Sequence, residues 1–451
     1  EIVENLLEKN KDKIIEGKDC LILANNSLEV LTTDFKKIFK TRVDRISKHK
    51  AFDKFIKIKF SHGREITVTP EHPVFIAKNG EIAAKRADSI KIGDSIPIPL
   101  NLPIEGKEQH FKPTLINSRA KQHITIPINN GPDIYKIIGY FISEGSREIN
   151  RKKLIGINFT NKDTRLLKDF ENLMKKEFNL KPYKQVKIDE NGERWCYRYT
   201  STELANFLKQ TMPEMLKTSG DKQIPKFAMN AKKEHISFML SALFEGDGYV
   251  SVKERTIRIG YKTKSRRLAE QIQDLLLRFG IRNSITRDRE YFRVGITDYE
   301  NIRKFREAIR FVTKEKNAVI DSYLKEKTIR RFVKNKIPLE FNEKIINIIE
   351  DEKIEKVGKY RKYDIILDHR TRKDKFSFSK DFIINMINQV KKESNKKYLE
   401  QFTNDIGWEH VSGIEIIEND TENWVYDITI EPNHSFVSQG AILRALLDVR
   451  S

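Results

Sequence analysis

Cysteine is almost absent from this chain of 451 residues; Cys20 and Cys196 are the only two. Two thiols exclude a disulfide framework and a cysteine-based zinc site. No run of about 18 apolar residues occurs, so no membrane-spanning helix is expected. The opening stretch, Glu1 to Lys18, is charged and lacks the apolar core of a secretory signal. Acid is also in deficit, with 65 Asp and Glu against 85 Lys and Arg, a net charge of +20. What is present argues against disorder, because 38% apolar and 10% aromatic residues suffice for packed cores. At about 150 residues per domain, the length predicts two to four domains. A cytoplasmic, multidomain chain with no membrane partner is the expectation.

The basic excess is the electrostatic footprint of a phosphate binder. No basic amphipathic helix with a broad apolar face stands out, so a nucleic acid is a better partner than a membrane surface. A charged, solvated surface remains the plain alternative.

Residues 1–125 and 405–445 read as β-rich. Phe55-Ile-Lys-Ile-Lys-Phe60 alternates apolar and basic, turns at His62-Gly63 and continues as Glu65-Ile-Thr-Val-Thr69, a hairpin pattern. Val425 to Ile430 alternates likewise and ends at Glu431-Pro432-Asn433. Between them lies a stretch that repeats. In the first copy a helix pattern over Ile134 to Gly145 precedes a strand (Leu154–Thr160), a helix (Leu166–Phe178), two strands (Tyr183–Ile188 and Trp195–Thr200) and a helix from Glu203. In the second, a helix over His235 to Gly246 precedes a strand (Arg255–Lys262), a helix (Arg267–Phe279), strands near Ile281–Thr286 and Tyr291–Ile296, and a helix from Tyr299. Both copies read α-β-α-β-β-α, a duplicated unit with the pseudo-twofold that duplex DNA also has. Residues 335–404 break at Lys336-Ile-Pro338, carry the basic run Arg370 to Lys375 and predict a helix at Lys380–Lys392. They read equally as a charged spacer or as an auxiliary DNA-contacting module.

The repeats open on Ile137-Ile-Gly-Tyr-Phe-Ile-Ser-Glu-Gly145 and Leu240-Ser-Ala-Leu-Phe-Glu-Gly-Asp-Gly248. Gly139 and Ser143, like Ala242 and Gly246, are small residues one helical turn apart, which lets two helices approach closely. Each helix ends in an acid followed by Gly, expected to terminate the helix in the left-handed region. Packed face to face, the helices would bring Glu144 and Asp247 together at the negative ends of two helix dipoles. That conflict invites a cation; oxygen ligands with few protein groups suit Mg²⁺ beside a phosphate.

These nonapeptides resemble the paired LAGLIDADG motifs of the dodecapeptide (DOD-type) homing endonucleases. The resemblance implies pseudo-twofold αββαββα-type repeats, Mg²⁺-dependent double-strand cleavage of a long DNA site, and action as a monomer. It places Glu144 and Asp247 on the metal-binding acids, with Glu where Asp is more usual at the first. It places Glu245 at the non-catalytic acidic position, and Lys222, in Asp221-Lys-Gln-Ile-Pro225, on the lysine that polarises the attacking water or stabilises the phosphorane charge; a solvated loop lysine is the other reading of Lys222. The DNA face is expected from Arg258, Lys262 and Lys264, spaced so as to point one way, with Arg293, Lys184 and Arg198 extending it.

The flanking segments have a resemblance of their own. Gly63-Arg-Glu-Ile-Thr-Val-Thr-Pro-Glu-His-Pro-Val-Phe75 is similar to the intein block with a TxxH motif, here Thr69 and His72. Trp424 to Val437 resembles the penultimate intein block, with Asp427 and His434. This implies a discontinuous, all-β Hint splicing domain framing the nuclease, in which His72 activates a scissile peptide and Asp427 and His434 act as acid–base groups. The host protein (extein) would be a partner in the precursor, and a prokaryotic product would be nucleoid-associated. Two departures from the family predict a chain that does not splice: Glu1-Ile-Val-Glu-Asn-Leu stands where a nucleophile block is expected, and Arg444-Ala445-Leu446 where His-Asn is. Cys20, as an alternative nucleophile, lacks the usual following turn. The expected division is 1–125 and 405–451 for the splicing domain, 126–334 for the endonuclease (repeats at about 133–210 and 235–310), and 335–404 for the auxiliary region. A non-cleaving DNA- or RNA-binding LAGLIDADG protein, maturase-like or decayed, is the alternative.

Overall fold

The computed structural model describes residues 2–17, 19–24, 27–114, 123–127, 130–189, 192–253, 256–326, 336–371 and 376–445. Arg255, Leu446 and most of the basic run up to Lys375 lie outside the described residues. The chain divides into two compact units, Ile104–Arg331 and the pair of segments Glu1–Pro103 and Phe332–Ser451.

The outer segments build antiparallel sheets in which the two ends of the chain interleave. Strand Ile406–Glu418 lies between Ser95–Pro99 and Lys54–Phe60, and Trp424–Thr429 pairs with Arg45–Lys50. The expected hairpin forms between Lys54–Phe60 and Glu65–Val68, where alternation buries Ile56, Ile58 and Phe60 and leaves the lysines outside. Residues 336–402 belong to this unit. Their helices close a core around Phe341, Ile345, Ile349, Ile383 and Phe402 that also takes in Ala77 and Trp408. Gly80 N–H donates to the Glu340 carbonyl at 2.7 Å, and Tyr398 donates to the Gly80 carbonyl at 2.8 Å. The segment expected to be a charged spacer or separate module is thus stitched to the β-rich unit. The helix expected at Lys380–Lys392 spans Lys380–Ile387.

In the α/β unit each repeat runs αββαββα. The first motif helix, Pro132–Glu144, leads directly into strand Gly145–Asn150, followed by Lys153–Asn161, helix Thr164–Phe178, strands Tyr183–Asp189 and Gly192–Thr200, and helix Thr202–Thr211. The second motif helix, Lys233–Asp247, leads into Gly248–Lys253, then Thr256–Thr263, helix Arg266–Leu277, strands Ser284–Asp288 and Tyr291–Ile296, and helix Tyr299–Ala308. Both four-stranded sheets have the same strand order, and the two repeats share one core. Strands Gly145–Asn150 and Gly248–Lys253 are absent from the residue-by-residue expectation, because short polar strands starting inside a motif carry no alternation signal of their own.

Two further expectations change. Gly145 and Gly248 are not left-handed: they have φ −87° and −91° with extended ψ. Glycine is required there for space, since a Cβ would lie 2.6 Å from the Phe141 carbonyl oxygen and 2.2 Å from that of Phe244. The boundary expected at 125/126 falls instead at 103/104. Arg278 donates to the Ile104 carbonyl at 3.0 Å, Lys107 N–H donates to Asn230 O at 2.9 Å, and Phe111 packs edge-on against Phe207 and Phe227.

Candidate functional site

The two motif helices meet along their small residues. A Cβ on Gly139 would lie 2.2 Å from the Met239 carbonyl oxygen, and one on Gly246 would lie 2.3 Å from Ser143 Oγ. Ala242 sits opposite Gly139, and Phe141, Leu243 and Phe244 are buried around the seam. Each fully buried large side chain contributes roughly 1.5–3 kcal/mol of transfer free energy to this contact. Its consequence is positional: Glu144 and Asp247, the last residues of the two helices, face one another electrostatically.

Both carboxylates are held in their neutral form more strongly than usual. Burial, followed by the charge of Asp247, pushes Glu144 up to about 7, against the pull of Lys316, Lys222 and Arg194. Burial also pushes Asp247 up to about 6, opposed by Lys222, by the Tyr261 hydroxyl 3.5 Å from Oδ2, and by Lys316. Tyr261 is fully buried, and its counterpart in the first sheet, paired with Gly145 as Tyr261 is with Gly248, is Phe159. The two halves are therefore not chemically identical.

Lys222, expected in the site, is there. Its Nζ donates to the carbonyls of Phe141 (3.3 Å), Ile142 (3.1 Å) and Gly145 (2.7 Å), gathering the carbonyls where the first motif helix passes into its strand. Burial lowers it to about 8, opposed by the charges of Asp247 and Glu144. A residue not anticipated from sequence repeats this arrangement. Lys316 Nζ donates to the carbonyls of Glu245 (2.6 Å) and Gly248 (3.0 Å), the second-repeat equivalents of Ile142 and Gly145. Its signal was available: both lysines follow the last helix of their repeat, Thr202–Thr211 and Tyr299–Ala308. Glu245 is buried and does structural work, accepting from Thr313 N–H (2.9 Å) and Thr313 Oγ1 (3.0 Å) and pairing with Lys316 at 3.4 Å.

No cluster of three or more His, Cys, Asp or Glu able to hold a metal exists among the described residues. The chemistry of the donor set still fits a hard divalent ion. Two carboxylates with suppressed ionisation, at the carbonyl ends of two helices, gain from a cation that takes its other ligands from water and phosphate.

The open face of the second sheet carries four of the expected basic residues. Ile257, Ile259 and Tyr261 point into the core, so Arg258, Lys262 and, just past the strand, Lys264 point outward, and Arg293 lies opposite Lys262. Lys262 and Lys264 lie over the Tyr291 ring at 4.1 and 5.3 Å, Lys264 pairs with Glu290 at 3.1 Å, and Arg293 pairs with Asp288. In the first sheet Arg198 is on the corresponding face, paired with Glu148. Lys184 is not. It stands opposite Tyr197, whereas Arg198 stands opposite Tyr183, so the pleat sends Lys184 to the helix side, where it meets Glu171 at 2.8 Å.

In the β-rich unit the structure brings three of the four expected residues into one neighbourhood. His72 donates its backbone N–H to the Thr69 carbonyl at 3.1 Å, and its Nδ1 is 4.0 Å from Asp427 Oδ1. Burial lowers His72 to about 4, leaving a neutral imidazole. Asp427 is raised, by burial first, with His49 pulling the other way. His49 Nε2 is 3.9 Å from Asp427 Oδ2, a neighbour that only strand pairing reveals. His434 pairs instead with Glu431 at 3.3 Å, and its carbonyl accepts from Ala445 N–H at 2.9 Å. Cys20 is a half-buried free thiol on strand Cys20–Ala24.

Comparison with known proteins bears on these two sites. A model described as intein splicing domain matches residues 7–444. Among curated proteins the chain is similar to the DNA-directed RNA polymerase subunit Rpo1C of Methanocaldococcus jannaschii, 27% identical over 98% of this chain and 52% of that protein. The chain thus spans about half the length of that relative. Among solved structures it is similar to the PabCDC21-1 intein (28% identity, 22% of this chain and 60% of that one, TM-score 0.20). It is also similar to I-DmoI in complex with DNA and Ca (16%, 42% and 97%, TM-score 0.32). The family match covers the chain almost end to end, and its span takes in Thr69, His72, Asp427 and His434. The chain belongs to the intein splicing domain family.

Proposed function

We propose that the α/β unit is a site-specific, Mg²⁺-dependent double-strand DNA homing endonuclease carried within an intein, and that the splicing domain, whose segments flank it in the chain, does not splice in this sequence. The observation that carries the nuclease reading is the doubled constellation of a carboxylate at the end of each motif helix and a lysine hooked onto carbonyls at that helix-to-strand junction. Glu144 and Asp247 would hold the ion. When bound, Mg²⁺ supplies Lewis acidity at the phosphate and lowers the pKa of water. The chain's own residues supply the rest. Lys222 and Lys316 place positive charge beside each acid, where charge builds up on the phosphate oxygens. Arg258, Lys262, Lys264, Arg293 and Arg198 are the phosphate- and base-contacting set, and Lys184 has a supporting role through Glu171. Both halves lie on one chain, so a monomer suffices.

In the splicing domain, Thr69, His72 and Asp427 remain grouped, while Ala445 stands buried in the core of Val43, Ile46 and Ile430. A methyl group cannot provide the side-chain amide that asparagine cyclisation needs.

The test is cleavage of supercoiled plasmids carrying a randomised insert library or the rejoined insertion site, with Mg²⁺, with Ca²⁺ and with Asp247→Asn. Linear product with Mg²⁺, lost in the variant, is expected. Tight, salt-sensitive binding without cutting under any of these conditions would overturn the nuclease in favour of a binding protein.

A further inference from the structure

The α/β unit carries a cleft remote from the paired acids. It opens between the first half of the second motif helix and the turn that joins helix Tyr299–Ala308 to helix Lys314–Lys325, and Lys136 of the first motif helix also lines it. Its volume is about 770 Å³, within the range of small-molecule sites. Ser241, the lining residue nearest Asp247 on the second motif helix, stands six residues before it, about 9 Å along the axis. The turn is fastened: buried Asn317 accepts from Phe311 N–H at 3.0 Å and donates to the Phe311 carbonyl at 2.7 Å.

Charge in this cleft is unbalanced. Its acids are already engaged, Asp321 accepting from Arg306 at 2.8 and 2.9 Å and Glu307 from Arg303 at 2.7 Å. Lys136 is matched by Asp169 at 2.6 Å. Arg310 and Lys314, both exposed, have no carboxylate partner among the described residues. Arg310 also has φ +53°, just past the end of helix Tyr299–Ala308, where glycine is the usual residue. A long basic side chain is thus kept where the backbone favours none, a strain of the kind that marks sites with a task.

The helix wall supplies complementary chemistry. Phe238 leaves its ring partly exposed in the cleft. Ser237 and Ser241 are one turn apart and share a face. Ser237 Oγ donates to the Glu234 carbonyl at 2.7 Å, which leaves its lone pairs to accept, while Ser241 Oγ has no partner among the described residues. A flat ring, two hydroxyls and two unmatched cations correspond group for group to the base, sugar and phosphates of a nucleotide. An acidic peptide would find no strand edge to pair with, because the walls are helices and a turn.

We infer that this cleft binds a free nucleoside phosphate, with the base against Phe238, the sugar hydroxyls at Ser237 and Ser241, and the phosphates on Arg310 and Lys314. The site lies outside the proposed nuclease chemistry and does not depend on it.

The test is calorimetric titration of the full chain with ATP, AMP, tripolyphosphate and a single-stranded oligonucleotide, in EDTA so that no divalent ion bridges phosphate to Glu144 or Asp247. One ATP per chain is expected, with AMP weaker for want of phosphate charge. Arg310→Gly and Lys314→Gln should each weaken ATP about tenfold. Phe238→Ala should weaken ATP and leave tripolyphosphate unchanged. Arg310→Gly should melt no lower than wild type, since glycine suits the left-handed backbone, and Lys314→Arg should keep most of the affinity; the two separate loss of ligand from loss of fold. Absence of ATP binding overturns the inference. So does ATP binding indifferent to both charge variants, which would put the nucleotide on another basic surface, or indifferent to Phe238→Ala, which would leave the ring without a role. Tighter binding of the oligonucleotide through the same residues would also overturn it, in favour of a nucleic-acid surface. Plasmid linearisation and its loss in Asp247→Asn read the nuclease separately, so either idea can fail while the other stands.

Discussion

Replacing Glu144 by Gln should make the metal-free protein more stable at alkaline pH while abolishing its proposed chemistry. Glu144 is held at about 7 in the folded chain, chiefly by burial and then by Asp247, against an ordinary 4.5. Between those values the folded state binds more protons than the unfolded state, so stability falls as pH rises through the window and the full deficit is present above about 7. At 1.36 kcal/mol per pKa unit the upper bound is about 3 kcal/mol. The side chain keeps some access to solvent, which lowers the expectation to about 1–2 kcal/mol. For a unit of this size that is a rise of about 3–6 °C in Tm at pH 8. The assay is thermal unfolding in EDTA from pH 5 to 8, followed by Mg²⁺ addition at pH 8. Wild type should lose stability with rising pH and recover it with Mg²⁺; Glu144→Gln should show a flatter profile and gain less from the ion. If the variant melts no higher than wild type at pH 8 without metal, the crowded carboxylates are not costing stability, and their crowding gives no reason for a cation to bind there.

The doubled lysines make a separable prediction: Lys222→Ala and Lys316→Ala should each slow one strand by about 100-fold and let nicked plasmid accumulate, as seen on agarose gels. Equal slowing of both strands by either change would show that the lysines do not serve separate halves. Gly139→Ala should cost about 3 kcal/mol or more, because its Cβ meets the Met239 carbonyl at 2.2 Å and backbone cannot yield cheaply. Gly131→Ala, with nothing within 4 Å of the added carbon, is the control and should melt within a degree or two of wild type. Glu245→Ala should destabilise by about 3 kcal/mol in urea titrations, since it strips the buried partner from Thr313 and Lys316.

The local grammar of the chain was enough for much of this. Alternation placed the strands of Lys54–Phe60 and Trp424–Thr429, and small residues one turn apart marked the faces along which Pro132–Glu144 and Lys233–Asp247 pack. The acids closing those helices could be read from the motif pattern itself, whereas the lysine ahead of the second motif and the two blocks that bracket the repeats were marked by their resemblance to known families. Tertiary structure decided what depends on register and on distance. Lys184 left the open face because the pairing of Lys184 with Tyr197 sets its side of the sheet. His49 joined Asp427 and His72 through strand pairing between residues far apart in the chain. Gly145 and Gly248 proved necessary for the room they leave a carbonyl rather than for their freedom to turn. Lys316 became Lys222's counterpart only when both could be seen holding equivalent carbonyls. Residue type and spacing act over one or two turns of chain, whereas a side chain's partners are chosen by packing in three dimensions.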